Sequence, residues 1–156
     1  MNKLTMRLSW LFIMTSFSAL NSADAQNRDA FGVRAGIYAD GSDLFVGGEY
    51  LASLGSSFYL NPNVEFVLPD HASLFTFNMD VHYDIPARTS LYIWAGGGLG
   101  IVYFNPDGPG ESSTDAALNI LFGLGFPTSS RLIPYIQAKG IISDNSNFVL
   151  AFGLRF

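Results

Sequence analysis

From residue 75 to 85 the chain alternates without a break. Phe75, Phe77, Met79, Val81, Tyr83 and Ile85 take the odd positions, with Thr76, Asn78, Asp80, His82 and Asp84 between them. Period 2 puts the two sets on opposite faces of a β-strand, whereas residues i and i+2 lie far apart around a helix. The same pattern predicts strands over 31–40, 43–54, 58–68, 91–104, 116–126, 132–142 and 147–156, eight runs in all. In the last run Phe148, Leu150, Phe152, Leu154 and Phe156 form one face, opposite Val149, Ala151, Gly153 and Arg155. The bulky face is too apolar for water and the opposite face too sparse to cover it, which points to an outer surface in lipid. Pro62 lacks a ladder donor, so a bulge is expected there. Gly96, Gly97, Gly98 and Gly100 leave the facing of the fifth run open.

The connections carry a second pattern. Those after runs 1, 3, 5 and 7 hold Asp40, Asp43, Asp70, Asp107, Glu111, Asp115 and Asp144 and no Lys or Arg. Those after runs 2, 4 and 6 read as shorter and hold Arg88 and Arg131. The longest polar stretch, 105–115, reads as the one connection able to recognise a ligand. Short turns on the periplasmic side and longer loops outside are the rule in bacterial barrels. The termini are therefore expected in the periplasm and the acidic loops outside.

The N-terminus changes the picture from membrane to exported membrane protein. Lys3 and Arg7 precede a mostly apolar stretch from Leu8 to Leu20, and Ala23-Asp24-Ala25 has the small residues of a cleavage site. Residues 1–25 read as a secretory signal peptide, too short in its apolar part to span a bilayer. Removing 25 of 156 residues leaves 131, one domain over 26–156. Eight membrane strands of about 9–11 residues fit that length with room for connections. No run of 18 apolar residues remains, so a barrel is the one way for such a chain to cross. There is no cysteine, hence no disulfide and no lipid-modified N-terminus. Six basic against twelve acidic residues in 26–156 argue against nucleic acid as a partner.

With these features the sequence resembles the small eight-stranded outer-membrane β-barrel family of Gram-negative bacteria, the group of OmpA-like and opacity-type barrels. The likeness rests on Leu91-Tyr-Ile-Trp-Ala-Gly-Gly-Gly-Leu-Gly100, on Leu132-Ile-Pro-Tyr-Ile-Gln-Ala-Lys139 and on Phe148 to Phe156, and it covers essentially the whole of 26–156. It implies an all-β, antiparallel up-and-down transmembrane barrel. It also implies that the terminal strand, with its final Phe, is an assembly signal read by periplasmic chaperones and the barrel-assembly machinery. Outer-membrane lipids and lipopolysaccharide are the implied surroundings, and a monomer is expected. The chain departs from the OmpA pattern in lacking a cell-wall-binding domain after the barrel.

Candidate chemistry is sparse. The inward positions collect Arg34, Glu49, Glu65, Asp80, Lys139 and Arg155, three acids against three bases, with His82 nearby. An eight-stranded barrel is only wide enough to be filled by side chains, and buried charges must pair. A self-compensating lumen network is the expectation, with a gated solute path as the alternative. His71 and Ser73, beside Asp70 and with Glu65 on the preceding strand, form the one set suited to nucleophilic catalysis. Their neighbours do not resemble those of the lipid A deacylases, small barrels that hydrolyse outer-leaflet lipid. His82 between Asp80 and Asp84 could make a metal trio, but a lone His among acids is usually a hydrogen-bonded lumen residue. The glycines of 96–100 lack the strand-turn-helix setting of a phosphate loop. No catalytic, cofactor or metal residues are therefore assigned. The reading is a structural or surface-interaction barrel of the outer membrane. An outer-leaflet lipid hydrolase and a secreted calycin-type binder of an apolar ligand are the alternatives.

Overall fold

The computed structural model describes residues 29–70 and 72–156. The predicted signal peptide lies outside the described residues, as does His71. Eight strands follow in order: β1 (Ala30–Tyr38), β2 (Asp43–Gly55), β3 (Phe58–Leu68), β4 (Ala72–Asp84), β5 (Tyr92–Pro106), β6 (Ser113–Gly125), β7 (Ile133–Ile142) and β8 (Asn147–Arg155). Each pairs antiparallel with its neighbours in sequence, and β1 closes on β8 from Gly32 opposite Arg155 to Tyr38 opposite Val149. Mutual amide-to-carbonyl bonds between Phe31 and Phe156 extend this seam at the end that carries both termini. The result is an up-and-down barrel with no free edge.

The alternation of the sequence becomes inside and outside. Phe77, Leu99, Ile120 and Phe152 stand exposed on the outer wall, between 58% and 68% accessible, while Thr76, Asn78, Asn119 and Gln137 are buried within. The ambiguous fifth run is settled by its neighbours: Trp94 and Gly100 are buried in the lumen, and Leu99 and Ile101 are exposed outside.

Two expectations are corrected. The register of β2 with β3 is unbroken in step through Pro62, and the shift falls between Ser53 and Gly55 at the hairpin end. Pro62 needs no bulge because the side-chain amide of Asn61 donates to the Tyr50 carbonyl, 3.2 Å away, where the proline has no N–H to offer. The second correction concerns loop length. Strands β5 and β6 climb well into the stretch read as a long loop, pairing Phe104 with Ser113, so that only 107–112 connects them. The connections at the acidic end are 39–42, 69–71, 107–112 and 143–146, and those at the other end are 56–57, 85–91 and 126–132. The two ends therefore differ in charge but not in loop length.

Candidate functional site

Inside the barrel three layers follow one another. At the acidic end Tyr38, Phe45, Val67, Ala117, Ile141, Val149 and Ala151 form an apolar cluster, with Leu74 and Val102 packed on it. Tyr38 and Phe45 meet edge to face at 5.5 Å between ring centroids. Apart from the Tyr38 hydroxyl, which donates to Glu65, the side chains of this layer offer water and ions no polar group, so the cluster acts as a plug.

Beneath it lies the polar layer. Glu65 is its centre: Lys139 Nζ donates to both carboxylate oxygens at 2.8 and 2.9 Å, and the Tyr38 and Thr76 hydroxyls also donate to it. Arg34 stands 3.1 Å from Glu65 and 3.6 Å from Glu49. None of its three nitrogens has hydrogen-bond geometry to a partner, so it contributes charge rather than directed bonds. Glu49 accepts from Arg155 Nε at 2.7 Å. Five of the six predicted network residues are thus brought together as one chain, Lys139–Glu65–Arg34–Glu49–Arg155. Asp80 is not in it. Its carboxylate accepts from the amides of Asn63 and Asn119, each at 2.8 Å. Asn119 also donates to Asn78, and Asn78 to Asn63, so a cluster of amides rather than a cation holds this acid. The sequence reading missed the cluster, although its members share the inward parity of Asp80 and were legible in that respect.

The third layer is aromatic. Trp94 lies across Gly123, where an added Cβ would fall 2.2 Å from the indole, and Tyr135 lies across Gly153 in the same way. These glycines are the recesses that let two large rings cross a narrow lumen. The Arg155 guanidinium carbon sits 4.7 Å from the Trp94 ring and 4.4 Å from the Tyr135 ring. His82 stacks parallel on Trp94 at 5.9 Å and has no hydrogen-bond partner on either ring nitrogen. It is therefore placed against an indole, with Asp80 committed to amides, and the described residues hold no cluster of three groups suited to a metal. Trp94 Nε1 donates to Gln137 Oε1 at 3.2 Å.

Beyond the rings the lumen opens into a vestibule of about 260 Å³ at the end that carries the termini. It is assembled from the ends of several strands and one turn, which no local sequence pattern could announce. Of the rim set, Ser73 lies near the start of β4, while His71 lies outside the described residues. Phe148, Leu150, Phe152 and Phe156 are exposed on the outer wall, and β8 pairs along its length with β7.

The comparisons bear on the fold. No family model matches the chain, and no curated protein matches its sequence. Solved structures do. The N-terminal β-barrel domain of Pseudomonas aeruginosa OprF aligns with a TM-score of 0.73 at 15% identity, over 84% of this chain and 97% of that one. Neisserial surface protein A aligns at 0.63 and 13% identity, over 81% and 93%. Yersinia pestis Ail, an outer-membrane protein seen in a bilayer nanodisc, aligns at 0.51 and 12% identity, over 83% and 100%. The chain has the fold of the small eight-stranded outer-membrane β-barrels.

Proposed function

We propose that this chain is an integral barrel of the bacterial outer membrane with a structural role, exported by a cleaved signal peptide over 1–25. The observation that carries the reading is the inversion of polarity: large apolar side chains cover the outside, while the buried Asn, Gln, Arg, Lys, Glu and Asp side chains form a polar layer in the lumen between an apolar and an aromatic one. In water that arrangement would expose a continuous apolar belt at a cost of about 25 cal/mol per Å². In a bilayer the belt is solvated by lipid, and every backbone group is satisfied by the closed ladder. A calycin-type binder would require the opposite, an apolar and open interior, and finds no support here. The acidic end faces outward on this reading. Its connections reach six residues at most, so a charged rim, rather than a long recognition loop, is what the barrel presents to lipopolysaccharide and the cell exterior. Catalysis forms no part of the proposal.

Cell fractionation with a heat-modifiability gel tests it, together with arginine scanning. The folded protein is expected in the outer-membrane fraction with a heat-dependent shift in mobility. Phe77→Arg, at a position 64% exposed, is expected to cost about 2–4 kcal/mol in lipid vesicles if it lies near the midplane. Recovery of wild-type protein in a soluble fraction, or full tolerance of Arg at both Phe77 and Val81, would defeat the assignment.

A further inference from the structure

The vestibule carries charged side chains of both signs around an apolar wall. Its floor is Trp94 with Arg155, and that guanidinium is already engaged by Glu49 and held against aromatic rings. Arg155 is therefore not available as an anion hook. The walls are apolar or aromatic, with Leu51 on β2, Tyr92 on β5 and Ile133 on β7. Three further charged residues line the cavity; Asp29 already accepts from the Ser53 amide and the Tyr50 hydroxyl, which leaves Asp84 at the end of β4 and Arg131 on the turn 126–132. Neither has an ion-pair partner among the described residues. Around the barrel β5 and β6 lie between β4 and the β6–β7 turn, so the two charges line the opening at different points of its rim.

We propose that the vestibule binds a short zwitterionic peptide. The α-amine sits on Asp84, the carboxylate on Arg131, and one apolar side chain lies against Leu51, Tyr92 and Ile133. The volume sets the size. Sites for drug-sized ligands occupy about 300–1,000 Å³, so a cavity of 260 Å³ takes one or two amino-acid residues and no more. Charge-assisted hydrogen bonds at the two ends strengthen in a mouth partly shielded from water. A purely anionic ligand would meet Asp84 and Asp29, and a purely apolar one would leave Asp84 and Arg131 unpaired. The proposal does not depend on membrane insertion; insertion with the acidic end outward adds only that the vestibule faces the periplasm.

The full chain with Trp10→Phe, folded in detergent, leaves Trp94 as its single tryptophan at the floor of the cavity. Titration with the dipeptide glycyl-leucine is expected to give a saturable change in Trp94 fluorescence. N-acetyl-glycyl-leucine amide, which lacks both charges, is expected to give none at concentrations about tenfold higher. Asp84→Asn and Arg131→Gln are each expected to weaken glycyl-leucine binding by about five- to tenfold, with heat-modifiable mobility unchanged. Arg131 is on an exposed turn, so its variant carries the test even if Asp84→Asn fails to fold. A flat titration with glycyl-leucine, an equal response to the blocked peptide, or unchanged affinity in a folded Arg131→Gln would overturn the proposal.

Discussion

Gly123 and Gly153 act by what they leave out. Added Cβ atoms would stand 2.2 Å from ring atoms of Trp94 and Tyr135, both of them buried. Gly48, on the outer wall, has no atom nearer than 3.8 Å. Gly123→Ala and Gly153→Ala are therefore expected to lower stability by about 1–3 kcal/mol, the usual cost of overpacking, with Gly48→Ala near neutral. Urea unfolding in lipid vesicles measures the difference. At the mouth, Asp29 accepts from the Ser53 amide and the Tyr50 hydroxyl, each at 2.9 Å. Those two donors hold its carboxyl below the ordinary value of 3.8, the amide being the larger cause. The folded value lies under the unfolded one, so the contribution of this contact is complete above about pH 4 and fades as pH falls through the folded value. Protection of the Ser53 amide, measured as exchange relative to the intrinsic rate at the same pH, is expected to fall in that acid range and to be low at all pH values in Asp29→Asn. Unchanged protection in the variant would show that the strand pairing alone protects the amide.

Among the elements, β8 closes the barrel and, on the proposed reading, also carries the assembly signal. In the finished barrel it pairs with both β7 and β1, and Phe156 is one exposed aromatic among many on the outer wall. Before closure it is an open edge, a template to which an assembly factor can add a strand. Burying one such side chain is worth about 1.5–3 kcal/mol, too little to decide folding in detergent. Deletion of Phe156 is expected to reduce the outer-membrane yield in cells strongly while leaving refolding into micelles close to wild type. Phe148→Ala is expected to change neither by a comparable amount. Wild-type yield in cells after the deletion would remove the assembly-signal reading of this strand. The β2–β3 hairpin shows a different kind of element logic. Its turn places Ser56 and Ser57 at φ of 52° and 67°, the left-handed conformation a two-residue hairpin turn needs, although neither is a glycine. The tight register of the hairpin imposes that conformation on them.

At the scale of the whole molecule the lumen is closed at one end and open at the other. The apolar cluster around Tyr38, Phe45 and Val149 sits above the charged chain, and the Trp94–Arg155–Tyr135 stack sits below it. An ion would have to leave its water to pass either layer. Planar bilayer recordings of the wild-type protein are therefore expected to show no discrete conductance steps. Phe45→Ala with Tyr38→Ala thins only the outer plug, so the pair is expected to remain silent while the aromatic stack is intact. Regular steps from the wild type would restore the gated solute path as the reading of the lumen. The charge asymmetry of the two ends persists in three dimensions. Loop length does not add to it, because strand pairing consumes most of the stretch 105–115.

Period 2 was enough to determine the strands, their number and, in all but the glycine-rich fifth, their outward faces, because a strand exposes alternate residues whatever it pairs with. Phe77 and Asn78 could be assigned to opposite faces from their positions alone. The inward charges were legible for the same reason, and so was the need to pair them. Their partners were not. Glu65 meets Lys139 across 74 positions of sequence, and Asp80 turns to Asn63 and Asn119 instead of a base. Which inward groups share a level depends on the stagger of strands around the closed barrel, a quantity no single strand contains. Strand pairing likewise laid Trp94 across Gly123 and Tyr135 across Gly153, and made recesses of both glycines. The vestibule was illegible for a stronger reason. Leu51, Asp84, Tyr92, Arg131 and Ile133 come from distant points of the chain, and only closure of β1 on β8 brings them around one opening.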